Sequence, residues 1–470
     1  MKDWQIEYLD LKNQMDKYDE LLSSLVLENN QFKSEIKTLN LKNEKLSAEN
    51  IKLKDRLGLN SKNSSIPTSK ELYKIKKDQA KKSTRKQGAQ AGHKPNVRDP
   101  LVADEIVKVD LKSSECECGG EICSTNKVHI HQKIDIPEIQ PHVTEYHLQK
   151  GRCKSCGKRK KAPLPEGVTA DLFGSNVKTA IGSLTGFYKN SKREVANILK
   201  NLFNLQISVG TISNNEARIA KKCLESYEDI ELELSYSRIL HIDETSHYNK
   251  GKMGWCWLFA SKTATLIKLE SSRGKKVLEN SVFGSDDHLI ITDRYAAYNY
   301  FNADERQVCW SHLARDFERF ANSSYVEIKD LGEYLGANTR ELFALKKALQ
   351  QEQLTVLRFQ RRARKLRKRI WYHLAGISHK AELPHASRAA KNMMKNENMM
   401  WRFLDDPNNI PLTNNHAEQQ IRHYVTYRKN SYFTQSKRGN DFLERVISLY
   451  LTWKKQGQNP VQNLRCLMSA

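Results

Sequence analysis

The chain has 470 residues, of which 78 are Lys or Arg and 55 Asp or Glu, for a formal net charge of +23. So large a cationic excess points to a polyanionic partner, nucleic acid first among them, and no apolar run approaches the roughly 18 residues that would make this a membrane protein. Nine cysteines are too sparse for a secreted disulfide framework and no signal-peptide core opens the chain, so a soluble cytoplasmic protein of several domains is expected.

From Trp4 to Leu57 an unbroken heptad places Trp4, Leu11, Tyr18, Leu25, Phe32, Leu39, Leu46 and Leu53 at one seam position. Tyr8, Met15, Leu22, Asn29, Ile36, Asn43, Asn50 and Leu57 hold the other. A three-four spacing sustained this long predicts a coiled coil of about 80 Å over residues 1–58, and Asn at three seam positions favours one register and a parallel homodimer. A helix folded back on its own domain is the alternative. Gly58, the polar run at 60–65 and Pro67 end the helix. Residues 59–100 read as a flexible linker, in which Lys70 to Lys94 carries nine basic residues against two acidic ones, suited to sequence-independent phosphate contacts.

Residues 101–166 form a small cysteine-bearing domain. Cys153 and Cys156, followed by Gly157, make one half of a tetrahedral zinc site, and Cys116 and Cys118 are the expected other half. Only one residue separates that second pair, so Cys123, His129 or His131 could substitute. Lys150, Arg152, Lys154 and the basic run at 158–161 give this domain a cationic face. Residues 167–232 read as helices. Ser191 to Phe203 and Val209 to Lys222 flank a short turn in the manner of a helix-turn-helix, a DNA-reading unit or simply a helical hairpin.

Residues 233–435 carry the chemistry. Ile239, Leu240 and Ile242 form an apolar run of the kind buried on both faces of a sheet, and it ends in Asp243; Leu289, Ile290 and Ile291 repeat the design and lead into Asp293. Between them come two strands, Gly254 to Ala260 and Thr263 to Leu269, and a helix at 274–283. Gln307 to Trp310 is the expected fifth strand and His312 to Phe320 the helix after it. Strand, strand, strand, helix, strand fits a ribonuclease-H-like sheet in which the first and fourth strands are parallel neighbours, so that Asp243 and Asp293 leave the same edge. Two or three carboxylates at one edge can hold Mg²⁺ and leave room for phosphate oxygens.

Residues 324–401 read as a helical insertion. Within it Arg358 to Arg369 carries eight basic residues and no acidic one, with Phe359, Ala363, Leu366 and Ile370 on one face. Thr413, Asn414 and Asn415 then open a helix in which Glu418, one turn in, is the candidate third acid. Asp286, Asp287, Asp316, Asp405 and Asp406 compete for that place. Arg422, Arg428, Lys429, Lys437 and Arg438 follow as candidate DNA contacts, and residues 436–470 form a C-terminal helical domain.

Ile-Asp-Glu-Thr at 242–245, Thr-Asp-Arg-Tyr-Ala-Ala-Tyr at 292–298, Cys-Trp-Ser-His-Leu-Ala-Arg-Asp-Phe at 309–317 and Asn-Asn-His-Ala-Glu at 414–418 resemble the DDE transposases of the insertion-sequence sixty-six family. Asn63-Ser64-Ser65, the segment at 88–94 and the segment at 457–467 extend the resemblance over nearly the whole chain. It implies an α/β architecture: a ribonuclease-H-like catalytic core with a helical insertion, an N-terminal zipper and a zinc-binding segment. It implies that Asp243, Asp293 and Glu418 are the catalytic acids and hold two Mg²⁺ or Mn²⁺ ions. Its expected partners are DNA, as element ends and target, and accessory proteins of the same element, with the protein working at the bacterial nucleoid. A DNA-binding repressor with an idle catalytic fold, or a nuclease that cannot join strands, are the rival readings.

Overall fold

In a computed structural model the described residues are 3–57, 99–110, 115–122, 128–281, 283, 288–380 and 384–469. Linker residues 59–98, Cys123, Asp286 and Asp287 therefore lie outside them. Contacts divide the chain into two units, one comprising residues 1–74, 169–195 and 208–470, the other residues 75–168 and 196–207.

The heptad segment forms one helix, α1 (Asp3–Leu57). Its seam residues Leu11, Leu25, Phe32 and Leu39 are each more than half exposed, so this chain leaves the apolar stripe uncovered. In the smaller unit, β1 (Lys150–Arg152) pairs antiparallel with β2 (Arg159–Lys161), and the turn between them carries Cys153 and Cys156. Gly157, at φ +70°, closes that turn by donating its N–H to the Cys153 carbonyl. A second turn holds Cys116 and Cys118 and is closed by Gly119, at φ +83°.

In the larger unit, α2 (Ser175–Gly182) runs into a π-helical turn, Ser183–Phe187. Helix α3 (Lys192–Phe203), most of which belongs to the smaller unit, and α4 (Val209–Lys222) match the expected bounds closely, and α5 (Leu224–Ser235) leads into the sheet. Its strands are β3 (Ile239–Asn249), β4 (Lys252–Ala260), β5 (Thr265–Glu270), β6 (Leu289–Thr292) and β7 (Arg306–Val308), in the order β5-β4-β3-β6-β7. The first three are antiparallel, and β3–β6 and β6–β7 are parallel, so the first and fourth strands are the expected parallel neighbours. The protein is thus a mixed α/β structure. Lys250 and Gly251, both at positive φ, make the tight β3–β4 turn whose twist matches the strands it joins.

Two expectations shift. The helix at 274–283 shrinks to α6 (Lys276–Glu279). The fifth strand starts and ends earlier than its apolar residues suggest, because Cys309 and Trp310 open α7 (Trp310–Ala321) instead. The strand's polar residues are buried for a reason: Gln307 accepts from the Phe403 N–H at 2.9 Å, while Arg306 reaches back to the end of β6.

The insertion consists of α8 (Val326–Gln350), α9 (Val356–Ser378), α10 (Pro384–Lys395) and α11 (Glu397–Trp401). With α7 they bury one apolar cluster containing Phe317, Leu335, Phe359, Leu366, Ile370 and Phe403. The chain returns through α12 (Asn415–Ser431), which lies on β3 and β4, then α13 (Lys437–Lys455) and α14 (Pro460–Ser469).

Helix α13 covers the edge strand β5. Glu444, Ser448 and Thr452, each one turn apart, accept the backbone N–H groups of Leu269, Ile267 and Thr265, so the edge offers no free ladder to another chain. Burial raises the Glu444 carboxyl from about 4.5 to about 7. The folded chain therefore binds more protons than the unfolded one across that window, and stability should fall as pH rises through it. Glu444→Gln keeps the acceptor and loses the charge. Chemical unfolding should show the variant gaining roughly 2 kcal/mol over wild type between pH 4.5 and pH 7.5; parallel pH profiles would refute this account.

Candidate active site

The parallel register pairs Leu240 with Ile290 and His241 with Ile291. Two residues on, Asp243 continues β3 and Asp293 follows the end of β6, so the two acids leave neighbouring parallel strands at about the same level. Asp243 closes an apolar run and is half-buried. Burial pushes its carboxyl well above the usual carboxylate range, and the negative charges of Glu244, Asp293 and Glu418 push it further. Three acids remote in sequence thus act on one another through space.

Each acid has its own mount. Asp293 sits just past β6, where Oδ1 accepts the Tyr295 N–H at 2.8 Å and its carbonyl accepts from Arg306 Nη2 at 2.6 Å. Arg306 also donates from Nε to Thr292 Oγ1 at 2.9 Å, so a buried guanidinium clamps the loop. Glu418 lies in the first turn of α12, and the residue that positions this turn is Asn414, only 2% exposed. Asn414 Nδ2 donates to the Ile242 carbonyl at 2.7 Å and its Oδ1 faces His241 Nδ1 at 2.9 Å. The Asn414 N–H donates to Cys309 Sγ at 3.1 Å, and its carbonyl accepts the Glu418 N–H at 3.1 Å. One amide therefore fixes the start of α12 against β3 beside Asp243, which lies within the strand and not at its end, because pairing with β4 carries β3 on to Asn249.

Glu244, beside Asp243 in sequence, projects to the opposite face. There it accepts from Arg273 Nε at 2.9 Å and from the Tyr298 hydroxyl, and Arg273 stacks on the Tyr295 ring at 3.7 Å. Its charge is thus already answered. The other competitors are similarly occupied: Asp316 pairs with Arg294 and Arg319, Asp405 with Arg402 and Asp406 with Arg238.

Two residues escaped the reading of individual side chains. Cys309 and His312, one turn apart at the start of α7, share a face, and their ligand atoms lie with a Glu418 oxygen within 4.8 Å of one another. His312 Nδ1 stands 3.8 Å from Glu418 Oε1, and both atoms are buried without a hydrogen-bond partner. Burial lowers the His312 pKa, leaving a neutral imidazole beside the acids. Cys-x-x-His before a helix was the available signal. Carboxylate oxygens are the hard donors that Mg²⁺ or Mn²⁺ takes, and Cys309 and His312 are softer ones; the group of three ligand atoms within 4.8 Å among the described residues joins Glu418 to that softer pair.

The candidate DNA contacts divide. Arg422 and Lys429 are exposed, and helical spacing sets them on the stripe that begins with Glu418. Arg428 does not join them. It follows Ala417, Ile421 and Tyr424 on the inward face, and its Nη1 donates to Thr245 Oγ1 and Ser246 Oγ on β3, each at 2.9 Å. Lys437 pairs with Asp441 at 3.1 Å, and Arg438 reaches α4 at Ser213 and Asn214. The cysteines stay as two separate exposed pairs, Cys116 with Cys118 and Cys153 with Cys156, and the cluster of three metal-ligating groups found among the described residues is that of Cys309 instead. Each cysteine pair rides its own glycine-closed turn.

Residues 192–441 match the model of the Transposase IS66 family, more than half of the chain. The chain belongs to that family. Residues 13–99 match a family of unknown function (DUF6444), and no match was found among curated proteins. All three acids, Asn414, Cys309 and His312 of this IS66-family transposase fall inside the first match. Asn414→Ala would strand the Ile242 carbonyl and His241, at a cost of roughly 2–3 kcal/mol. A lowered melting temperature should be seen by calorimetry; a wild-type value would deny Asn414 its linking role.

Proposed function

We propose that this transposase cuts a phosphodiester bond at the end of its element and joins the freed strand to target DNA, using a ribonuclease-H-like core built on the five-stranded sheet. The observation that carries the reading is the β3–β6 register that brings Asp243 level with Asp293, with the charge of Glu418 acting on both sides of the pocket through its effect on Asp243 and His312. Asp243, Asp293 and Glu418 would hold two Mg²⁺ or Mn²⁺ ions. When bound, such ions activate an attacking oxygen and steady the leaving one.

Water attacks phosphorus at the element end, and the bond from phosphorus to the 3′ oxygen breaks to leave a 3′ hydroxyl. That hydroxyl then attacks a target phosphorus, forming one phosphodiester bond as another breaks, so no covalent protein intermediate is required. Asn414 holds Glu418 to the pocket, and Arg306 holds the Asp293 loop. Arg422 and Lys429, on the Glu418 stripe, would neutralise phosphates beside the reacting bond.

Incubating the protein with end-containing DNA and Mg²⁺ should give cleaved and joined products. Asp243→Asn and Glu418→Gln should each lower product formation roughly 10²–10³-fold or more while sparing DNA binding. Cleavage without joining would favour a nuclease, and binding alone a repressor. Loss of binding along with activity would make Asp243 a structural residue.

The exposed seam of α1 supports a parallel homodimer, and the two cysteine turns support a structural zinc ion, with Cys116, Cys118, Cys153 and Cys156 as its ligands. Native mass spectrometry reads both: a dimer with zinc on each chain is expected. Monomers would remove the zipper, and metal-free chains the zinc.

A further inference from the structure

The basic run of α9 is the strongest charged feature that the catalytic reading does not use. Its apolar face, Phe359, Ala363, Leu366, Ile370, Leu374 and Ile377, is buried in the insertion core between α8 and α10. The eight cations from Arg358 to Arg369 lie around the remaining surface, and no acid stands anywhere along α9. Neighbouring helices answer only part of this charge. Arg362 and Arg369 share Glu341, each at 3.5 Å, and Arg367 takes Glu397 at 2.8 Å.

The rest forms a stripe. Arg361, Arg364, Lys365 and Lys368 are spaced three or four apart on the side directly opposite the buried face, all exposed, and none has an ion-pair partner among the described residues. Tyr372, 73% exposed, and Trp371, 41% exposed, extend the same side by one more turn. From Arg361 to Tyr372 the stripe is about 16 Å long, a length over which duplex DNA carries roughly nine phosphates. Like charges one turn apart on a helix repel, so the arrangement costs stability in the free protein and is relieved by a polyanion.

We infer that the outer face of α9 is a second DNA-binding surface, gripping the phosphate backbone of duplex DNA without regard to sequence. The inference rests on the reading of the chain as a DNA-acting transposase but not on its catalytic acids. Charge complementarity selects the occupant. Four long cationic side chains with no acid among them meet phosphates, and the flanking rings can lie against the sugar edge of the backbone. The α12 stripe would hold the DNA being cut, and α9 would hold duplex further along the same or the second DNA.

The test uses the full-length protein, a buffer without added Mg²⁺ or Mn²⁺ to prevent chemistry, and a fluorescent duplex of about 30 base pairs of unrelated sequence, titrated between roughly 50 and 200 mM salt. Replacing Arg361, Arg364, Lys365 and Lys368 with Gln should weaken binding about tenfold or more at the lower salt. It should also reduce the slope of log affinity against log salt by about three to four, since each lost phosphate contact is worth about 0.9. Circular dichroism should show the variant folded, because the substitutions leave the buried face untouched. The Arg361→Lys and Arg364→Lys double variant should keep the wild-type slope. An unchanged affinity and slope in the folded Gln variant would overturn the inference. Asp243→Asn, measured alongside, should bind as wild type does; a failure confined to one variant thus separates this surface from the catalytic reading.

Discussion

The pocket depends on one buried side-chain amide. Asn414 bonds to the strand residues just before Asp243, at His241 and Ile242, across a sequence separation of more than 170 residues. Its main chain holds Cys309 on one side and the first turn of the Glu418 helix on the other. Two further backbone bonds complete the junction, Cys309 N–H to the Thr292 carbonyl and Trp310 N–H to the Leu412 carbonyl, each at 2.9 Å. Sheet edge, α7 and α12 therefore meet where Asn414 has both its side-chain and both its main-chain polar groups paired, the condition under which a buried polar group rigidifies rather than weakens a fold.

That rigidity has an electrostatic purpose. Carboxylates brought together away from water repel, and the raised Asp243 pKa records the conflict. The fold resolves the part it can: Glu244 turns to the opposite face and is matched by Arg273 and Tyr298, and Asp316 is matched by Arg294 and Arg319. The conflict remains at Asp243, and the Glu418 oxygen and the His312 nitrogen are left orphaned. Negative charge and an unpaired acceptor, left in place while Glu244 and Asp316 are matched, are what the proposed divalent cations would require of the protein.

Cations are sorted by the same geometry. Arg306 and Arg428 are spent inside the fold, one on the Asp293 loop and one on β3, whereas Arg422, Lys429 and the outer face of α9 remain toward solvent. The net charge is thus not evenly spread but is divided between clamps that shape the pocket and surfaces free to meet phosphate.

Much of this was legible in the sequence. Apolar runs leading into Asp mark both acidic strands, because a strand buried on both faces shows in composition alone, and the order of elements points to their parallel pairing. The bounds of α3 and α4 followed from helical period, as did the buried face of α9. The fifth strand was misplaced because its buried residues, Arg306 and Gln307, are polar, and only their distant partners explain why they are inside. Arg428 was grouped with the surface cations by proximity to Glu418, although its spacing from Tyr424 already put it on the inward face. Local pattern determined which residues form strands and helices and where an acid ends each run, since period and hydrophobicity act over a few residues. Tertiary structure alone decided that Asn414 joins three segments and that His312 and Cys309 border Glu418, because those outcomes hang on hydrogen bonds and charges between residues a hundred or more positions distant.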